Sequence, residues 1–275
     1  MPDRPNLTYR YDGTFEGLLC CVFESYDKKQ LPLDILAPDA PPTLFPAREI
    51  ETDTEKARRV LVSIPRKMGA EAPGFLRRAF LTCLPHKELR TLEFLRLGYR
   101  VGPSVLNLLT DDTVHELTTA VRFLEKEAHN FKEFIRFSDF SGALVAEIKP
   151  KNLVLPLLLT HFCERFPEEQ FLIYDRVHGM ALIYHPHHAE IVPIESLALP
   201  EPDETERKYR ELWQMFYKTI EIEGRHNPRC RMGHMPKRYW DCMTEFQRAE
   251  PARRDAGIKD PASRTDEISG LSLPG

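Results

Sequence analysis

The chain has 275 residues, 42% of them hydrophobic, and a formal net charge of -4. That is enough apolar material for a sizeable core, in one large domain or two small ones. The slight acidity, with a pI near 6.2, excludes a protein that coats nucleic acid over its whole surface, so any such contact must be a localised patch.

Tyr9 to Tyr11 reads as a short strand, and Asp12-Gly13 as the turn that leaves it. Thr14 is placed to cap a helix whose apolar residues Phe15, Leu18, Leu19, Val22 and Phe23 recur at helical spacing. Proline-rich Leu31 to Pro46 is expected to form a surface loop. A strand is expected at Arg48 to Glu51, after which Thr52 or Thr54 opens a helix carrying Ala57, Val60, Leu61 and Ile64. Further helices are predicted around Gly74 to Leu84, Lys87 to Leu97 and Ser104 to Leu109. Thr113 to Phe131 gives the clearest helix of this half, with Val114, Leu117, Val121, Leu124 and Ala128 on one face.

The periodicity changes at Phe134. FIRFSDF and ALVAEIKP, separated by Ser141-Gly142, predict a β-hairpin, and a helix with Leu155, Leu158, Leu159 and Phe162 follows. FLIYD, MALIYH and EIVPIE then give three more strand-like runs joined by short turns, the pattern of an antiparallel sheet. Asp203 or Thr205 caps a final long helix with Leu212, Trp213, Phe216, Tyr217 and Ile220 expected to face inward. The predicted class is therefore α+β, a single domain over residues 1–247. Its helical half (about 8–132) packs with an antiparallel sheet half (about 133–247) that ends in the long amphipathic helix. Residues 248–275, charged and rich in Pro, Ser and Gly, are expected to be a disordered tail.

Six cysteines are scattered without a CxxC pair, and no secretory signal precedes them. This pattern predicts reduced thiols and a cytoplasmic location, with no disulfide framework, zinc site or cofactor. No apolar run approaches the roughly 20 residues needed to span a bilayer.

The stretch with the most pronounced chemistry is Gly224 to Trp240. It holds Arg225, Arg229, Arg231, Lys237 and Arg238 beside Tyr239 and Trp240, with no acidic residue. Cations neutralise phosphates, and aromatic rings offer flat faces to bases. The competing explanation is a solvated charge run whose aromatics anchor it to the core. Lys132 and Arg136, near the end of the Thr113 helix, form a second candidate anion site, although positive charge also stabilises a helix C-terminus. His129 lies three residues before Lys132, on the same helix face, and is a candidate base or hydrogen-bond donor to phosphate. Asp12 and Glu16, four apart across a strand-to-helix turn, are candidate paired carboxylates, with capping as the alternative role of Asp12. His161 sits near Cys163, but positions two apart on a helix diverge, so a buried, hydrogen-bonded histidine competes with a catalytic one. Asp175 has the same ambiguity between turn residue and site acid. The histidines at positions 178, 185, 187 and 188 lack a carboxylate or cysteine at ligand spacing and read as a polar hairpin end.

Several phrases are more specific than these patterns: YDGTFEGLL at Tyr11 to Leu19, EAHNFKEFIRF at Glu127 to Phe137, VLPLLLTHFCERFP at Val154 to Pro167, FLIYD at Phe171 to Asp175 and MPKRYW at Met235 to Trp240. Together, over roughly residues 8–247, the chain resembles a bacterial family grouped with DNA metabolism and DNA repair, whose core is a domain of unknown function. The resemblance implies partnership with a radical-SAM DNA-modification protein encoded nearby. It also implies partnership with a uracil-DNA-glycosylase-like protein, a domain to which some members are fused. It supplies no catalytic residues. AEAPG at Ala70 to Gly74 and HPHH at His185 to His188 are similar to two loops of such glycosylases, but AEAPG falls between predicted helices and the glycine before the glutamate is replaced by Ala70. The expected function is a DNA-associated accessory protein that binds nucleic acid or a repair enzyme and performs no chemistry itself. The alternatives are a DNA-acting enzyme (a lyase, nuclease or glycosylase-like protein) and a purely protein-binding adaptor.

Overall fold

The computed structural model describes residues 5–222, 224 and 226–247. The tail expected to be disordered, residues 248–275, lies outside the described residues. The chain begins with a small parallel sheet in which β1 (Thr8–Arg10) lies between β2 (Asp34–Leu36) and β3 (Ala47–Glu49). β2 falls in the stretch read as a surface loop. Its central residue Ile35 is 2% exposed, so this proline-rich passage reaches the core through a strand of three residues, too short to show a period.

Helices then build the first core. α1 (Phe15–Asp27) starts where predicted, the Thr14 hydroxyl accepting from the Gly17 amide. α2 (Thr54–Met68) is capped not by a threonine but by Asp53, whose carboxylate accepts from the amides of Glu55 and Lys56. α3 (Ala72–Phe80), α4 (Lys87–Val101) and a 3-10 turn at Pro103–Asn107 follow. The apolar faces meet around Leu18, Ile64, Leu76, Leu92 and Leu95, all fully buried. α4 approaches α2 closely at Gly98, where a Cβ would collide with the side chain of Met68.

α5 (Asp112–Phe134) passes from this core to the next. Val114, Leu117 and Val121 belong to the first, whereas Leu124, Ala128, Phe131 and Phe134 belong to the second. The second core lies against a five-stranded sheet in the order β4 (Ser138–Phe140), β5 (Ala143–Ile148), β6 (Gln170–Asp175), β7 (Met180–His185) and β8 (His188–Pro193). The α+β architecture is as expected, but the sheet is mixed. β5 and β6 run parallel, and the other three pairs are antiparallel. The reason is the intervening helix α6 (Leu155–Arg165), which returns the chain to the same end of the sheet, as a parallel neighbour requires. Across β6 and β7, Phe171 stacks on Tyr184 at 4.9 Å.

α7 (Glu204–Thr219) is capped by Asp203, which accepts from the Glu206 amide. Its apolar stripe, expected to face inward, does not. Leu212, Trp213, Phe216 and Ile220 are 59%, 40%, 51% and 57% exposed. The only buried residue of α7 is Glu206. Tyr217, the remaining residue of the stripe, is half-buried and packs edge-on with Phe246 at 5.4 Å. Polar contacts add to this hold, with Gln214 donating to the carbonyl of Thr244 and Arg210 to the hydroxyl of Ser138. α8 (Pro228–His234) and two 3-10 segments, Lys237–Cys242 and Thr244–Phe246, complete the described chain.

Candidate nucleic-acid interface

The basic segment divides into exposed and anchored cations. Asn227 caps α8, its side chain accepting from the Cys230 amide, with Pro228 in the first turn. Arg229 is exposed on this helix, and Arg225 lies outside the described residues. The guanidinium of Arg231 sits 5.7 Å from the Trp240 ring and 5.6 Å from Phe246. Lys237 is exposed, its ammonium 5.7 Å from the same Trp240 ring. Arg238 is not available in the same way: it pairs with Glu127, whose side chain is 4% exposed. That carboxylate also accepts from the Lys151 and Asn152 amides and the Asn152 side chain. The absence of acid within the segment therefore hides a partner 111 residues away.

The two aromatics are likewise structural in part. Tyr239 is 3% exposed. It packs edge-on to Phe131 at 5.0 Å and receives a hydrogen bond from Asn130, so its ring is not free to stack on a base. Trp240 is half-buried, stacked on Phe246 at 4.4 Å, with its indole N–H donating to the Met235 carbonyl.

A groove of about 700 Å³ opens between α7 and the layer formed by the end of α5 and α6. Thr244 of the C-terminal segment forms part of its wall. α5 and the residues just after it contribute Lys132 and Arg136, and α6 contributes His161 and Arg165. α7 contributes Tyr209, Arg210 and Trp213. Arg136 pairs with Glu245, a carboxylate that is 2% exposed, at 2.9 Å. Glu245 also accepts from the indole of Trp213 and so fixes that ring, with the Arg136 guanidinium 5.8 Å from it. Arg210 pairs with Glu206, and Glu133 is turned toward His129 at 3.1 Å. Among the described residues, Lys132 and Arg165 have no ion-pair partner. Burial, then the charges of Lys132 and Arg165, hold the His161 imidazole below its ordinary value of 6.5. The groove is thus cationic, with aromatic walls on both sides.

The remaining candidates are dispersed. Asp12 accepts from the amide and hydroxyl of Thr14 and from Thr52. Burial acts to raise its pKa, but these hydrogen bonds outweigh it and hold the carboxyl below 3.8. Asp12 thus ties the start of α1 to the turn before α2 at the surface, and Glu16 is exposed on α1. His129 is exposed and bound to Glu133 rather than grouped with Lys132 and Arg136. Only His161, of the four catalytic candidates, lines the groove. Asp175 is fully buried and accepts from the Val177 and His178 amides and the His178 ring, which makes it the organiser of the β6–β7 turn. AEAPG forms the start of α3. Among the described residues no group of three or more His, Cys, Asp or Glu is arranged to hold a metal ion.

Sequence reasoning missed Arg165 and Tyr209. Both were visible as helix-face partners, Arg165 four residues after His161 and Tyr209 four before Trp213. A family model for a domain of unknown function, DUF4130, matches residues 85–245, more than half of the chain. The chain belongs to this family. The DUF4130 match begins just before α4 and runs to the last 3-10 segment, so it includes all the groove residues and the basic segment. It leaves out the small parallel sheet and α1 to α3. No curated protein and no solved structure matches the chain. Among the described residues no helix is long and apolar enough to cross a membrane.

Proposed function

We propose that this DUF4130 chain is a nucleic-acid-binding accessory protein of DNA repair or DNA metabolism that performs no chemistry itself. The observation that carries this reading is a set of four cations for which no ion pair is found among the described residues. Arg229 and Lys237 are exposed on the basic segment, and Lys132 and Arg165 line the groove. Such a layout suits a charged backbone, with interactions that position the strand rather than read bases. The dispersal of Asp12, Glu16 and His129 away from His161 favours binding over an enzymatic role. A radical-SAM DNA-modification protein and a uracil-DNA-glycosylase-like protein are the partners that the family resemblance implies.

The test is fluorescence anisotropy with labelled oligonucleotides over a range of salt concentrations. Binding should weaken linearly on a logarithmic salt scale. The double variant Arg229→Ala, Lys237→Ala should reduce the slope by about one unit for each phosphate that is no longer neutralised. The pair Lys237 and Arg238 is the poorer choice, because removing Arg238 uncovers the buried Glu127. Absence of binding at low salt, or binding that the double variant leaves untouched, would remove nucleic-acid binding by this segment and favour a protein-binding adaptor.

A further inference from the structure

Tyr209 is the most exposed aromatic ring on the groove wall, at 67%, and among the described residues no other ring packs against it. A tyrosine left this open, on the same helix face as Trp213 and across from Lys132 and Arg165, keeps its apolar ring in water with no packing gain within the chain. The second ring, Trp213, is oriented by its hydrogen bond to Glu245. On the opposite wall the Arg165 guanidinium lies 5.7 Å from the Phe166 ring. At about 700 Å³ the groove falls in the size range that encloses a small organic ligand, about 300–1,000 Å³. Its chemistry is that of an unpaired nucleotide: a flat ring needing a face, and a phosphate needing cations.

We propose that this groove takes an unpaired nucleotide of a single strand, the base against Tyr209 and Trp213 and the flanking phosphates on Lys132 and Arg165. This rests on the nucleic-acid reading above and narrows it to single-stranded or locally unpaired substrate. Bases inside a duplex are stacked on each other and present no face to a side chain, so a blunt duplex can offer this site only its phosphates.

The experiment compares a single strand with a blunt duplex of the same length, by anisotropy, on wild type, Tyr209→Ala, Tyr209→Phe and the double variant Lys132→Ala, Arg165→Ala. The wild type should prefer the single strand. Tyr209→Ala should weaken that binding about tenfold, the effect of losing one stacked base, while leaving duplex binding unchanged. Tyr209→Phe should restore it, because the ring face and not the hydroxyl does the stacking. The lysine–arginine variant should weaken single-strand binding and flatten its salt dependence. Since Tyr209 is exposed, circular dichroism and thermal melts should match wild type for both tyrosine variants. Equal affinity for the two substrates, or Tyr209→Ala acting on both alike or on neither, would overturn the nucleotide site and leave the backbone-binding reading standing. Failure of every oligonucleotide to bind at low salt would remove both.

Discussion

α2 and α7 are built from the same ingredients and meet opposite fates. Each is capped by an aspartate and carries a strong apolar stripe. α2 buries Ala57, Val60, Ile64 and Met68, whereas α7 buries only Glu206 and leaves its apolar residues at the surface. Amphipathicity therefore identifies a helix and a face, but says nothing of what covers that face. In α2 the cover is the chain's own core. In α7 the same kind of face borders a charged groove, which is where an outside ligand has something to gain.

The largest effect expected from this contrast is on stability. Ile64→Ala removes a fully buried side chain and should cost about 2–5 kcal/mol, read by urea unfolding. Leu212→Ala, at a site 59% exposed, should fall within about 0.5 kcal/mol of wild type. If the two cost the same, α7 is covered in solution and the contrast disappears.

Next comes the Glu127 node. Arg238→Ala leaves a carboxylate that is 4% exposed without its cation. The expected cost is about 1–3 kcal/mol, because three hydrogen bonds to it remain. Lys237→Ala, one residue earlier and exposed, should be near neutral in the same melt. Trp213→Ala should cost less than Ile64→Ala, the reverse of what its place in an inward stripe would imply. Equal costs for Trp213→Ala and Ile64→Ala would return Trp213 to the core.

The smallest effect is a titration. His161 feels the charges of Lys132 from α5 and of Glu164 and Arg165 from its own helix, and it shares the groove lining with Glu133, Arg136, Glu206 and Arg210. Its pKa is held down in the folded chain, so between that value and 6.5 the unfolded state carries the proton and the folded state does not. The stability His161 contributes is present above 6.5 and is lost as pH falls through the folded value. An anion seated between Lys132 and Arg165 offsets their charges, so oligonucleotide binding should raise the His161 pKa, measured by NMR. No change would place the bound phosphates elsewhere.

Much of the fold was legible because its signals are local. Thr14 and Asp203 are caps that act on amides three residues away, and the long period of α5 stands out from its neighbours. The parallel pairing of β5 with β6 was not legible, because it depends on where α6 returns the chain. The site failed for the same reason in reverse. Five cations without a neighbouring acid looked free, yet Glu127 claims Arg238 from a distant helix, and the Tyr239 ring is packed against Phe131 and Phe134. Charge runs report sequence neighbours, and ion pairs are decided by spatial ones. The groove itself combines α5, α6 and α7, so no single stretch could announce it.

α5 ties the two cores together. At 23 residues it is about 34 Å long, and it lends its first half to one core and its second half to the other. A subglobal opening that frees either core must leave half of this helix bare. Its central amides, around Val121 and Leu124, should therefore exchange with solvent only when the whole molecule opens. The same geometry bears on the family's boundaries. α3, which lies before residue 85, packs on α5. A fragment cut to residues 85–245 would bare part of the apolar face formed by Val114, Leu117 and Val121.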